Sequence, residues 1–121
     1  MSDIDAHIGL LDGPDFNFYD GDYEGNIPKR ISPFLPNARE IMSQIWKMIH
    51  NGDKNASQLD WGAVGVVYTK QQLTDFVDSF YENDYNDYKD RAREIRKYIK
   101  GLDSDKPYVL VAYETGDDLS C

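Results

Sequence analysis

The chain has 121 residues, with 13 Lys plus Arg against 22 Asp plus Glu and a formal charge of −9 at pH 7. Binding to nucleic acid is driven by release of counterions from a cationic surface, so a charge of this sign argues against DNA or RNA as the direct ligand and favours a basic partner. One chain of this length predicts a single domain able to bury about two thirds of its unfolded surface without disulfide staples. The lone cysteine, Cys121, has no partner in the chain. With no apolar run of membrane-spanning length and no basic or apolar leader in Met1–His7, a cytoplasmic protein without membrane contact is the expectation.

Four glycines (Gly9, Gly13, Gly21, Gly25) and four prolines (Pro14, Pro28, Pro33, Pro36) fall within the first 36 residues, too many breakers for a long helix. Residues 1–36 are therefore read as a loop-rich arm, with an edge strand at Phe16–Tyr19 and Ile27, Ile31, Phe34 and Leu35 as anchors on the core. Residues 1–27 carry seven acids and no Lys or Arg. Within it, Asp20, Asp22 and Glu24 with Gly25 and Ile27 follow the opening of a helix-loop-helix calcium loop. The twelfth position is Ile31 where a bidentate carboxylate is required, and the prolines prevent flanking helices, so the stretch reads as an acidic turn rather than a metal site.

Asn37-Ala-Arg-Glu40 has the pattern of a capping box, predicting a helix from Ala38 to about His50 with Ile41, Met42, Ile45, Met48 and Ile49 on its apolar side and a stop at Asn51-Gly52. Residues 53–60 are polar and read as a loop. Trp61–Tyr68 and Tyr108–Tyr113 are short apolar runs rich in Val, Tyr and Ala, as central strands require. Between them, Thr69-Lys-Gln-Gln72 is a second capping box that predicts a helix from Lys70, with Leu73, Phe76, Val77 and Phe80 as its buried stripe. A further helix is expected with Tyr88, Ala92, Ile95, Ile99 and Leu102 facing inward and Gly101 as its stop. The fold class is α+β: a small sheet of two to four strands covered on one face by three helices, strand order and direction open.

No motif for catalysis stands out. His7 and His50 have no second His or Cys at metal-ligand spacing and read as a solvated terminal residue and a helix-end residue. No serine sits in a nucleophile elbow and no glycine-rich phosphate loop follows a strand, so neither an enzyme nor a cofactor is expected.

Charge and aromatics point elsewhere. A second acidic block, Asp75, Asp78, Glu82, Asp84, Asp87 and Asp90, is opposed only by Lys89. The bases that follow, Arg91 to Lys100, suit the negative end of a helix dipole better than a nucleic-acid patch. Tyr19, Tyr23, Tyr81, Tyr85 and Tyr88 are interleaved with the acids; rings give desolvated contact area and carboxylates give steering. The expected partner-binding residues are Asp20, Asp22, Tyr23, Glu24, Asp78, Glu82, Asp84, Tyr85 and Asp87. They fit a small acidic inhibitor of the immunity or anti-defence type, one that covers or mimics the phosphate face of a basic nuclease or toxin. The competing reading is a ligand-binding or enzymatic module with its site between the arm and the sheet.

Overall fold

The computed structural model describes residues 3–10, 12–13, 16–17, 30–59, 62–82 and 89–115. In chain order the elements are β1 (Asp3–Leu10), β2 (Asp12–Gly13), β3 (Phe16–Asn17), α1 (Ala38–His50), β4 (Ala56–Gln58), β5 (Val64–Thr69), α2 (Lys70–Phe80), α3 (Lys89–Lys100) and β6 (Pro107–Thr115). Four strands form one sheet in the order β1-β6-β5-β4, and every neighbouring pair is antiparallel. The class is α+β. The α2–α3 pair reverses the chain twice and returns β6 antiparallel beside β5, which settles the direction that periodicity leaves open.

The residues that build the core follow from strand alternation. Ala6 and Ile8 of β1, Val64 and Val66 of β5, and Leu110 and Ala112 of β6 point to the same face. That face packs against Ile41 and Ile45 of α1, Leu73 and Val77 of α2, and Ala92, Ile95 and Ile99 of α3. Burial of each Ile, Leu or Val side chain contributes about 1.5–3 kcal/mol from removal of apolar surface from water. On the other face Val109 and Val111 join Leu59 and Ala63, with Val67 and Tyr113 half-buried beside them. β6 is thus buried on both faces, which explains its unbroken apolar run. Gly65 of β5 serves the same face: a Cβ there would stand 3.1 Å from Val109 Cγ1 and 3.2 Å from Leu59 Cδ1, so glycine lets the Leu59 side chain pack close to the sheet.

Four expectations are corrected. Residues 3–10 open the arm with an eight-residue strand paired to β6 from Asp3↔Thr115 to Leu10↔Tyr108, not with loop. Among the described residues the Phe16 strand pairs with Asp12–Gly13, in a two-stranded ribbon apart from the main sheet. The polar stretch at 53–60 contains β4, whose Ala56, Ser57 and Gln58 pair with Val66, Gly65 and Val64. The following strand starts at Val64, three residues later than its apolar run, because Gly62 turns the chain with φ +76° and Leu59 N–H bonds Ala63 O at 2.7 Å. Trp61 lies outside the described residues.

The two capping motifs behave differently. At α2 the Thr69 side chain accepts from Gln72 N at 3.2 Å while Gln72 Oε1 accepts from Thr69 N at 2.9 Å, the reciprocal box that the sequence predicts. At α1 Asn37 is left-handed, with φ 60° and ψ 46°, and its side chain makes no cap bond. A cap residue normally needs extended backbone to aim its oxygen at the first free N–H groups. Asn tolerates the left-handed region where the chain must turn sharply out of Pro36.

The free edge of β1 is closed by the segment at residues 30–35. Gly9 and Arg30 form a β-bridge, Ile31 N bonds Ile8 O at 3.0 Å and Leu35 N bonds Ala6 O at 2.9 Å. Between them the buried Ser32 Oγ accepts from Ile8 N at 2.9 Å and donates to Pro33 O at 2.8 Å. An unpaired strand edge is a template for aggregation, and this strap occupies it.

Candidate partner-binding surface

Of the nine expected partner-binding residues, Asp78 and Glu82 lie among the described residues. Asp20, Asp22, Tyr23, Glu24, Asp84, Tyr85 and Asp87 lie outside them, as do Tyr19 and the calcium-loop-like stretch. Asp78 and Glu82 are both exposed, at the C-terminal half of α2 and one residue past its cap. Asp78 Oδ1 accepts from Arg96 Nε of α3 at 2.7 Å, with the carboxylate side chain 56% exposed. Tyr81 is not a surface ring. It is 4% exposed, and its hydroxyl donates to Pro36 O, tying the end of α2 to the strap.

The sequence charge divides unevenly over this framework. The described side chains include twelve carboxylates against eleven Lys and Arg, a net of −1. The other ten carboxylates, opposed by Lys29 and Lys89 alone, give the remaining −8: nine of the ten fall in residues 12–24, 84–87 and 117–118, and the tenth is Asp60. The basic row of α3 is partly engaged within the protein: Arg91 donates to Phe34 O at 2.9 Å and Arg96 pairs with Asp78. Lys70 Nζ caps the end of that helix by donating to Lys100 O at 2.9 Å.

A groove of about 510 Å³ opens between α1 and α2. Tyr68 of β5 and Phe76 and Phe80 of α2 supply its aromatic lining, and Gln44 of α1 with Gln72, Asp75 and Ser79 of α2 supply the polar part. The rings run in series: Tyr68 to Phe76 is 5.9 Å between centroids, and Phe76 stacks on Phe80 at 5.1 Å and 15°. Tyr68 is held in place by its hydroxyl, which donates to Met48 Sδ at 3.8 Å. Burial, with a smaller contribution from Asp53, raises its phenol above the ordinary value. Phe76 and Phe80 belong to the stripe expected for α2 and Tyr68 to an expected strand; the groove itself has no sequence signal, because it depends on how α1 sits beside α2.

His7, expected at a solvated terminus, is instead buried in β1 at 3% exposure. Its Nδ1 lies 3.2 Å from Tyr113 Oη, and its ring meets Tyr113 and Phe34 edge-on at 5.3 and 6.4 Å. Arg30 stacks over Phe34 with its guanidinium carbon 4.4 Å from the ring centroid. Burial foremost, then Asp5, raises the Tyr113 phenol, and Arg30 opposes them. The alternation Ile4, Ala6, Ile8, Leu10 against Asp3, Asp5, His7, Gly9 is the signal that would have found this strand. Among the described residues no three His, Cys, Asp or Glu side chains come together as metal ligands, and no helix is long and apolar enough to cross a membrane.

The chain matches no protein-family model, no curated protein and no solved structure.

Proposed function

We propose that this protein is a small acidic inhibitor, of the immunity or anti-defence type, that acts in the cytoplasm by covering the phosphate-binding face of a basic, nucleic-acid-acting protein. The observation that carries the reading is the division of charge: a nearly neutral α+β framework joined to stretches that hold −8 of the −9. Concentrated charge of one sign steers a partner of the opposite sign and sets its orientation. Asp78 and Glu82 extend that charge onto exposed α2, and the rings of Tyr23 and Tyr85 stand next to acids in the chain. Direct binding to nucleic acid is disfavoured by the same charge.

The experiment is affinity capture from the source cells with the native chain and with a variant carrying Asp20→Asn, Asp22→Asn, Glu24→Gln, Asp84→Asn and Asp87→Asn. The reading expects a stoichiometric basic protein on the native chain and its loss on the variant, with nuclease activity of the captured protein suppressed by the native chain. Equal capture by both chains, or no basic protein on either, contradicts it.

A further inference from the structure

We infer that the groove between α1 and α2 is the seat of an arginine side chain presented by the basic partner. This rests on the reading of the partner as basic and adds where on the framework it is gripped. Tyr68, Phe76 and Phe80 stand in series, 5.9 and 5.1 Å between consecutive centroids, and make an aromatic wall along which a guanidinium and its aliphatic stem can lie. The polar lining contains one carboxylate, Asp75, and no base. Asp75 accepts a hydrogen bond from Gln71 Nε2 at 3.0 Å, and no Lys or Arg among the described residues forms an ion pair with it. Helical spacing puts Glu40 one turn from Gln44, so the α1 wall continues into a carboxylate.

The alternatives fit less well. An apolar helix laid into the groove strands Gln44, Asp75 and Ser79 away from water without partners. A phosphate meets Asp75 with no cation to offset it. Arginine suits the site better than lysine because its planar group stacks on rings and pairs with a carboxylate through two N–H donors at once. The chain already contains one such stack, Arg30 over Phe34.

The test is an NMR titration of the full chain with the peptide acetyl-Gly-Arg-Gly-amide, and with its lysine and citrulline counterparts. The expected result is shifts centred on the amides of Gln44, Tyr68, Asp75 and Ser79 with the arginine peptide, weaker shifts with lysine and none with citrulline. Asp75→Asn weakens binding about three-fold, as removal of an exposed charge partner does. Ser79→Arg, which fills the groove with a cation of its own, abolishes it; circular dichroism checks that both exposed substitutions leave the fold intact. Shifts spread over acids elsewhere, or shifts that survive Ser79→Arg, overturn the inference. The two failures are distinguishable: a basic partner that binds Ser79→Arg as tightly as the native chain removes the groove alone, whereas peptide binding in the groove without any basic protein partner removes the inhibitor reading and leaves only an arginine-binding groove.

Discussion

The hydroxyl of Tyr81 donates to the main-chain carbonyl of Pro36, forty-five residues away in the chain, and so joins the end of α2 to the strap that closes the edge of β1. Tyr81→Phe removes the donor and leaves a buried carbonyl without it, which costs about 1–3 kcal/mol. Urea denaturation measures the loss. An unchanged midpoint means that the bond contributes nothing.

Ser32 makes the complementary prediction from the other side of the strap. Its Oγ is the acceptor for Ile8 N in the middle of β1. Ser32→Ala orphans that buried N–H, lowers stability by about 1–3 kcal/mol, and speeds hydrogen exchange at the Ile8 amide more than at the Leu110 amide in β6. Uniform acceleration across the sheet contradicts a local role for the strap.

Asp78 is predicted to be separable from folding. Its pair with Arg96 is solvent-exposed on both sides, 38% for Arg96 and 56% for Asp78. Exposed pairs contribute at most about 1 kcal/mol, so Asp78→Asn shifts the urea midpoint little while removing one of the charges offered to the partner. A loss of several kcal/mol makes Asp78 structural and takes it out of the proposed surface.

Tyrosine ionisation is predicted to lower stability at alkaline pH. Burial raises the phenols of Tyr68, Tyr98 and Tyr113, with smaller contributions from Asp53, Tyr108 and Asp5 respectively. A raised value in the folded state means that the stabilisation is complete below the ordinary value of about 10 and is lost as pH climbs through the folded value. Tyrosinate absorbance followed beside circular dichroism is expected to show a late-titrating fraction and stability falling above about pH 10. A single ordinary transition for every tyrosine contradicts this.

Legibility in the sequence followed the range of the interactions. The Thr69–Gln72 box, the α2 stripe, Ala92, Ile95 and Ile99 of the α3 stripe and the stops at Asn51-Gly52 and Gly101 depend on near neighbours in the chain and are readable; Tyr88 lies outside the described residues. β4 is not readable, because three residues with one small apolar side chain carry no pattern and are strand only by pairing with β5. β1 has a plain alternation, but the Gly and Pro breakers that follow Leu10 obscure it within the first 36 residues. The Asn37 motif misled: its residue types fit a box, but the backbone required there is left-handed. At the candidate surface, composition reported the charge, while the burial of Tyr81 and the groove over Tyr68 are tertiary facts.

The most direct measurement is the association rate of the chain with its captured basic partner as ionic strength rises from about 0.01 to 1 M, over which the screening length falls from about 30 to 3 Å. If crowded carboxylates bring the two proteins together, the rate drops by about tenfold or more, and the five-site neutralised variant is slow from the outset and nearly indifferent to salt. A native chain whose rate stays level across that range gives the opposite answer: its negative charge has no part in recognition.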